Sequence, residues 1–203
     1  KIKLLYDPII SIKEIHEKKK QTYIEYSDYY LSVGRLTKQK NFIFLCKCFN
    51  KLLKKNLNLK LYILGEGEDF YLIKNYIQKN NLTQNIKMLG HIENVMPYYK
   101  KSKGFILSSL WEDPGFVLIE AAFCRSPVYS SNARPGPYEL IKDNINGTNF
   151  NSNDVNSFIN KFEVFLRNSK DNKIILENLK LSKNFTIFNH YKKFSKYLSQ
   201  VCC

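Results

Sequence analysis

The stretch YYLSVGRLTKQKNFIFLCKCFNKLLKKNLNLKLYILG, residues 29–65, decides the fold. Within it, residues 29–34 have the pattern of an apolar strand, residues 40–56 that of a helix, and residues 59–65 that of a second strand. Two strand patterns joined by a helical one predict a β-α-β unit with parallel strands. Because both strands are apolar along their length, we expect them in the middle of a sheet that is covered on both faces.

The same alternation continues to about residue 150, and only helical patterns follow it. The further predicted strands are 85–90, 104–109, 127–131 and 147–150, and the further predicted helices are 68–81, about 94–101, 116–124, about 137–142, 155–168, 172–182 and about 187–198. We therefore predict an α/β fold. Its core is a Rossmann-like, doubly wound parallel sheet with helices on both faces, and a C-terminal helical tail follows.

Length and composition indicate one folded domain. The chain has 203 residues, of which 44% are hydrophobic. We predict a linker and lead-in over residues 1–25, a ligand-binding core over 26–150, and C-terminal helices over 151–203 that pack on the same domain. Because the first residue is Lys1, we expect a part of a longer protein. No apolar run approaches the roughly 20 residues that a membrane-spanning helix needs.

The net charge of +14 raises the question of a polyanionic partner. Nucleic acid or an anionic membrane face would suit such a charge. The lysines are nevertheless scattered through every segment, with small clusters at residues 18–20, 54–55 and 100–103. No aromatic-interleaved nucleic-acid motif accompanies them. We therefore do not expect nucleic acid as a partner, and a membrane-surface contact stays open.

The cysteines and histidines predict neither a disulfide framework nor a metal site. The chain has five cysteines, an odd number, and no CxxC spacing. Cys46 and Cys48 lie two positions apart on a predicted helix, so we expect them to point to different faces. No cluster of His and Asp with metal-ligand spacing is present in the sequence. We expect ordinary thiols in a reducing compartment and no metal.

Ligands of open parallel sheets bind outside the carboxyl ends of the strands. After the first strand, Arg35 and Lys40 precede or begin a helix, where both charges can converge on a diphosphate; a solvated basic turn is the alternative. After the third strand, we favour a turn histidine without chemistry at His91, while the backbone at His91 and Ile92 can still pair with a base edge.

The loop after the second strand begins with Gly65-Glu66-Gly67, the start of a dinucleotide fingerprint. Position 70 is Phe, so the GxGxxG spacing fails. The acidic residues of this loop would also repel a pyrophosphate. We interpret it as a flexible turn, with Glu68 and Asp69 in the first turn of the next helix.

Two glutamates stand eight positions apart in SSLWEDPGFVLIEAAF, residues 108–123. Glu112 lies in a turn after a strand. Glu120 lies in an apolar helical segment, where an unpaired carboxylate is costly, so it needs a partner such as a ligand hydroxyl. The N–H groups of Gly115, Phe116 and Val117 stand at the start of this helix and suit phosphate oxygens.

Taken together, these segments resemble the C-terminal half of glycosyltransferase family 4, retaining transferases with the two-lobed GT-B fold. The resemblance covers about residues 26–150. It rests on VGRLTKQKN (33–41), LYILGEGED (61–69), IKMLGHIENV (86–95), WEDPGFVLIEAA (111–122), SPVYSS (126–131) and GPYELIKDNINGTNF (136–150), which occur in the family's order. LLYDPI (4–9) is similar to the family's interlobe linker. Where members often have Gly-Phe-Gly, this chain has Asp113-Pro114-Gly115.

The resemblance implies a lobe that binds a nucleoside-diphosphate sugar. Arg35 and Lys40 would hold the diphosphate and stabilise the charge of the leaving group. Glu112 would contact the donor sugar, and Glu120 the ribose hydroxyls. Contacts would also come from Gly34 and from the backbone at His91, Ile92, Gly115, Phe116 and Val117. The catalytic residues would then be Glu112, Arg35 and Lys40.

The resemblance also implies a hexosyl-type transferase without metal or cofactor, with a UDP-sugar as the favoured donor. Its acceptor would be a glycan or a lipid-linked glycan, bound through an N-terminal lobe. The enzyme would act in the synthesis of cell-surface glycans. We expect a cytoplasmic protein, with peripheral contact to the inner membrane face as an option. This lobe alone should bind donor but transfer little. The alternatives are an NAD-type Rossmann domain and a non-catalytic basic module that binds nucleotides or nucleic acid.

Overall fold

A computed structural model of the chain describes residues 3–11, 28–55 and 58–200. Its strands are β1 (Tyr30–Val33), β2 (Leu61–Leu64), β3 (Ile86–Gly90), β4 (Gly104–Leu107), β5 (Trp111–Glu112), β6 (Val128–Ser131), β7 (Arg134–Pro135) and β8 (Thr148–Phe150). Its helices are α1 (Phe42–Leu53), α2 (Phe70–Lys79), α3 (Met96–Lys101), α4 (Phe116–Phe123), α5 (Gly136–Leu140), α6 (Val155–Asn168), α7 (Asn172–Ser182) and α8 (Ile187–Ser199). A short 3-10 helix, Lys183–Phe185, separates the last two.

Six strands form one sheet in the order β3-β2-β1-β4-β6-β8. Every pairing in it is parallel, beginning with Tyr30 opposite Leu61. The strands that follow β1 lie first on one side of it and then, from β4 onward, on the other. This reversal beside β1 is the topological switch point where open α/β sheets bind ligands.

Helices cover both faces of the sheet, as predicted. On one face, α1, α2 and α6 pack over an aromatic-rich core that contains Phe49, Ile73 and Phe162. On the other face, α3 and α4 contribute Tyr99 and Leu118 to a second core. The α/β fold with a parallel sheet and a helical tail is therefore confirmed.

The C-terminal helices begin at capped positions. The side chains of Asp154, Asp171 and Thr186 accept hydrogen bonds from backbone N–H groups in the first turns of α6, α7 and α8. Such caps satisfy donors that have no acceptor inside the helix. At the start of α8, Ile10 pairs with Thr186 in a parallel bridge, which ties residues 3–11 to the end of the chain.

One local prediction is wrong. α2 begins at Phe70, so Glu68 and Asp69 precede the helix instead of occupying its first turn.

Cys46 and Cys48, predicted to point to different faces of α1, are both fully buried, because α1 is packed between the sheet and two other helices and is covered over most of its circumference. Burial raises the pKa of the Cys46 thiol to about 12, so it stays protonated at neutral pH.

Some predictions fall on residues outside the described part. These are the lead-in over 12–25, the lysine cluster at 18–20, and Cys202 and Cys203. Within residues 3–11, 28–55 and 58–200, no helix has the length and apolar character needed to cross a bilayer.

Phe162 offers a test of the aromatic core. It is 1% exposed and lies against the rings of Tyr30, Phe49, Tyr129 and Phe158. We expect Phe162→Ala to lower the free energy of unfolding by about 3–5 kcal/mol, because it leaves a cavity in a closely packed region. Urea denaturation followed by circular dichroism measures the change.

The matched control is Phe188→Ala on α8, where the side chain is 68% exposed. We expect it to change the unfolding free energy by less than about 0.5 kcal/mol. An equal loss in the two variants would contradict the packing described for α6.

Candidate functional site

A cavity of about 460 Å³ opens at the carboxyl ends of β1, β2 and β3 and at the first turns of α4. It therefore lies beside the switch point of the sheet. It is lined by Val33, Gly34, Arg35, Leu64, Gly65, Glu66, His91, Ile92, Val95, Val117 and Glu120. A lining that combines apolar side chains with a few charged groups is typical of sites for small polar ligands.

Backbone hydrogen bonds hold the loops around the cavity together. Gly34 N–H donates to Leu64 O (3.0 Å), and Gly65 N–H donates to Gly90 O (2.7 Å). A Cβ added at Gly65 would lie 1.9 Å from Gly34 O, so only glycine permits this approach. In addition, Leu36 N–H donates to Glu66 O (2.8 Å). The turn after β2, which the sequence predicts to be flexible, is thus tied by backbone hydrogen bonds to the loops on either side of it.

Glu120 lines the cavity from α4 and has a partner behind it. The Tyr99 hydroxyl, on α3, donates a hydrogen bond of 3.1 Å to Glu120 Oε2. Burial and the neighbouring carboxylate raise the pKa of Tyr99 well above its usual value, so the hydroxyl keeps its proton. The sequence indicated that Glu120 needs a partner, and the structure supplies one in Tyr99.

Glu112 is held by two donors. Its Oε2 forms an ion pair with Lys40 Nζ and accepts a hydrogen bond of 2.9 Å from Ser109 Oγ. The Lys40 and Glu112 side chains are only 11% and 9% exposed. An ion pair in such surroundings is less screened by water and salt than a surface pair.

The ion pair joins two loops that are distant in sequence. Ser108 Oγ donates to Lys40 O (2.8 Å), and Leu110 N–H donates to Gln39 O (2.8 Å). The Lys40 side chain also passes beside Gly34, whose added Cβ would lie 3.2 Å from the Lys40 Cε. Lys40 therefore lies between the edge of the cavity and Glu112.

Arg35 and Lys40 have different surroundings. Arg35 is exposed and lines the cavity, whereas Lys40 is turned toward Glu112. The ion pairs among the described residues do not include Arg35. Its guanidinium is thus available to an anion in the cavity.

The start of α4 faces the same cavity. Gly115 is the N-cap residue and has φ 90° and ψ 54°, a left-handed conformation that favours glycine. The N–H groups of Phe116 and Val117, in the first turn, have no acceptor within the helix. Val117 lines the cavity, while the Phe116 side chain is exposed to solvent. An anion placed there would be stabilised by the helix dipole.

The structure thus divides the predicted site residues into two groups. Gly34, Arg35, His91, Ile92, Val117 and Glu120 line the cavity, and Lys40, Glu112, Gly115 and Phe116 lie beyond its lining. Sequence reasoning missed Tyr99 and Ser109, which hold the two glutamates. No local pattern marks them, because each acts on a side chain that the tertiary fold or a turn brings to it.

Within residues 3–11, 28–55 and 58–200, no three side chains of His, Cys, Asp or Glu come together in a way that could hold a metal ion.

Comparison with known proteins points to one family. Residues 13–182 match the family described as "Glycosyl transferases group 1". A UDP-Gal:alpha-D-GlcNAc-diphosphoundecaprenol alpha-1,3-galactosyltransferase of Escherichia coli is 31% identical over 167 residues, 81% of this chain and 42% of that protein. An uncharacterized glycosyltransferase of Methanocaldococcus jannaschii is 36% identical over 130 residues, 64% of this chain and 32% of that protein.

A third relative covers nearly the whole chain. It is the Campylobacter jejuni GalNAc-alpha-(1->4)-GalNAc-alpha-(1->3)-diNAcBac-PP-undecaprenol alpha-1,4-N-acetyl-D-galactosaminyltransferase, 29% identical over 204 residues, 99% of this chain and 55% of that protein. The chain therefore spans between about a third and just over half the length of these curated relatives.

Solved structures show the same fold. Anabaena HepE, in complex with UDP, superposes with a TM-score of 0.77 at 18% identity. The superposition covers 98% of this chain and 57% of the HepE chain. The pneumococcal O-GlcNAc transferase GtfA, in complex with UDP and GlcNAc, gives a TM-score of 0.74 at 18% identity, over 98% of this chain and 38% of its own.

The Lys40–Glu112 pair can be tested by a double-mutant cycle. We expect Lys40→Met to lower the free energy of unfolding by about 3 kcal/mol, because it leaves a mostly buried carboxylate with Ser109 alone. When Glu112→Gln is also present, much of that loss should disappear, with a coupling of about 1–3 kcal/mol. Urea unfolding of the wild type, the two single variants and the double variant measures the coupling.

The exposed pair Lys180–Glu177 on α7 is the matched control, since its side chains are 66% and 38% exposed. Its coupling should stay below about 0.5 kcal/mol. Additive effects at Lys40 and Glu112 would show that the two residues are not linked in solution.

Proposed function

The chain belongs to the glycosyl transferases group 1 family, and from this premise we propose that it is the donor-binding lobe of a retaining, family 4 glycosyltransferase. Such an enzyme transfers a sugar from a nucleoside-diphosphate sugar to a glycan acceptor. The observation that carries this proposal is the cavity at the switch point, which combines the exposed Arg35 with the carboxylate of Glu120, held by Tyr99. A cation for the diphosphate and a carboxylate for the ribose are the groups that such a donor needs.

In the proposed complex, each part of the nucleotide has a partner. Glu120 accepts hydrogen bonds from the ribose hydroxyls, with Tyr99 holding its carboxylate from behind. Arg35 and the N–H groups of Phe116 and Val117 bind the diphosphate. The base lies against the backbone at His91 and Ile92, on the β3 side of the cavity.

The catalytic step is assigned to the groups beside the cavity. Glu112 contacts hydroxyls of the donor sugar and orients its anomeric carbon. Lys40 and Arg35 stabilise the negative charge that develops on the nucleoside diphosphate as the glycosidic bond breaks. Because Lys40 also binds Glu112, one ammonium group would connect the sugar-binding carboxylate to the leaving diphosphate. We further propose that this step needs no metal ion or cofactor.

The relatives suggest the donor and the acceptor. The name of the Escherichia coli relative specifies UDP-Gal and a diphosphoundecaprenol-linked acceptor, and the Anabaena structure contains UDP. We therefore propose a UDP-sugar as donor and a lipid-linked glycan of the cell surface as acceptor. Such an acceptor would require contact with the cytoplasmic face of the membrane. The rest of the full-length protein would supply the acceptor lobe, with residues 1–25 as the linker, 26–150 as the donor site and 151–203 packed on it.

A nucleotide panel tests this proposal. We expect UDP to raise the melting temperature of the chain, because a ligand that binds only the folded state stabilises it, by about 2.7 kcal/mol at a hundredfold excess over Kd. GDP, ADP and NAD should raise it less. A selective response to NAD would favour the dinucleotide-binding alternative. Salt-dependent binding to DNA without a nucleotide response would favour the nucleic-acid alternative.

The UDP affinities of variants inside and outside the cavity test which residues bind the nucleotide. Arg35→Ala and Glu120→Ala should each weaken UDP binding about tenfold or more, because each removes a charged partner of the ligand. The matched controls are Arg167→Ala and Glu163→Ala, which remove exposed charges from α6. Isothermal titration calorimetry measures the four affinities. Equal affinity of all four variants for UDP would reject the site assignment.

Tyr99→Phe tests the second residue of the ribose site. It removes only the hydroxyl that binds Glu120, so we expect a three- to tenfold loss of UDP affinity, which corresponds to the roughly 1 kcal/mol of a typical hydrogen bond. The control is Tyr98→Phe on the same helix. Among the described residues, Tyr98 accepts a hydrogen bond through its backbone oxygen, and no side-chain hydrogen bond uses its hydroxyl. Unchanged UDP affinity in Tyr99→Phe would show that Glu120 is held by other groups.

A further inference from the structure

The two oxygens of the Glu112 carboxylate have different surroundings. Among the described residues, the hydrogen bonds to this carboxylate end on Oε2, which accepts from Lys40 Nζ and, at 2.9 Å, from Ser109 Oγ. A Cβ added at Gly115 would lie 3.2 Å from Glu112 Cγ, so the start of α4 packs against the stem of the same side chain. With Oε2 held in this way, Oε1 is the oxygen left for a ligand hydroxyl.

Ser109 is itself held by the loops that follow three strands of the sheet. It is fully buried, and its backbone oxygen accepts hydrogen bonds from Ser131 Oγ (2.8 Å) and Ser152 Oγ (3.0 Å). Ser109 follows β4, Ser131 ends β6, and Ser152 follows β8. The position of the Ser109 hydroxyl therefore depends on how these three loops pack, and not only on the turn that leads to Glu112.

The two donors to Glu112 differ in what else they can bind. Lys40 carries an ammonium group on a flexible stem and has more than one N–H to donate, so it can bind Glu112 and a phosphate oxygen at the same time. Its stem passes beside Gly34, at the edge of the cavity. Ser109 has a single hydroxyl proton on a short side chain, and it donates that proton to Glu112. Lys40 can thus serve two parts of the donor, whereas Ser109 serves the carboxylate alone.

We propose that Ser109 is a positioning residue for the sugar-binding carboxylate, and that Ser131 and Ser152 hold Ser109 in place for this task. Its hydroxyl fixes Oε2 of Glu112, so that Oε1 is presented to a hydroxyl of the donor sugar. This inference rests on the proposed function, because it adds residues to the same donor site.

The proposal predicts an effect on the sugar that the nucleotide does not share. In the proposed complex the nucleotide is bound by Arg35, Glu120 and the start of α4, and the described side-chain hydrogen bonds of Ser109 involve neither Arg35 nor Glu120. Loss of the Ser109 hydroxyl should therefore weaken the binding of a nucleotide sugar and leave that of the nucleotide unchanged. A residue that only stabilised the fold would change both affinities or neither.

The experiment compares Ser109→Ala with the wild type by isothermal titration calorimetry. The ligands are UDP, UDP-galactose and UDP-N-acetylglucosamine, and the conjugate that binds the wild type more tightly is used for the comparison. We expect Ser109→Ala to lower the affinity for this conjugate by about three- to tenfold, the effect of one typical hydrogen bond, at unchanged affinity for UDP.

Two further variants separate the hydroxyl from the packing around it. Ser109→Thr keeps a hydroxyl and should restore the affinity for the conjugate. Ser126→Ala is the matched control, because Ser126 is 2% exposed and its hydroxyl is hydrogen-bonded to Ser102 Oγ (2.9 Å) before β4 and β6 begin, at the opposite edge of the sheet. It also loses a buried hydroxyl, and it should bind both ligands as the wild type does.

The double variant Ser131→Ala/Ser152→Ala tests the hold on Ser109. It leaves the Ser109 hydroxyl in place but removes both donors to the Ser109 backbone oxygen. We expect a loss of affinity for the conjugate that is smaller than in Ser109→Ala, again with unchanged affinity for UDP. Wild-type affinity for the conjugate in this double variant would contradict the role given to Ser131 and Ser152.

Three results would overturn the role of Ser109. They are an unchanged affinity of Ser109→Ala for the conjugate, an equal loss of affinity for UDP and for the conjugate, and a loss in Ser109→Thr as large as in Ser109→Ala. Each of them leaves the proposed function standing as long as the wild type binds UDP. A wild type that does not bind UDP would instead reject the proposed function, and this inference with it.

Discussion

All strands of the six-stranded sheet run in one direction, and the rest of the structure depends on this constraint. Parallel strands can be joined only by crossovers, so each strand is followed by a helix that returns over a face of the sheet. The loops after the strands therefore gather at a single edge. Because the strand order reverses beside β1, these loops part there and leave the cavity. The close contact of Gly34 with Gly65 shows how tightly they are packed around it.

The charged side chains at this edge of the sheet differ in how deeply they are buried. Lys40 and Glu112 neutralise each other in a mostly buried position, with Ser109 as a second donor. Arg35 stands at the cavity, and Arg134 is exposed on β7. Water screens these two exposed cations far more than the buried pair. The arrangement thus leaves the Glu112 carboxylate neutralised inside the fold and the two guanidinium groups at the surface.

Much of the fold was predictable, because the apolar patterns are long and their periods differ. α6 and α7 begin and end at the predicted residues, and the predicted strands of the sheet are all present, although most are shorter by one or two residues. β5 and β7 were missed, since two-residue strands have no period. The first turn of α2 was also placed too early, because acidic residues before a helix resemble those inside its first turn.

The sequence by itself determined the parallel α/β architecture and the resemblance to glycosyltransferases, and it placed Arg35, Lys40 and Glu112 in loops after strands and Glu120 in the helix that follows. These follow from local patterns and from motif order. Only the tertiary structure decided that Lys40 binds Glu112, that Tyr99 holds Glu120, and that Trp111 stands beside Arg134. The reason is physical: these pairs depend on how separate loops and helices pack at one edge of the sheet, and hydrophobic periodicity specifies which face of an element is buried but not which side chains meet there.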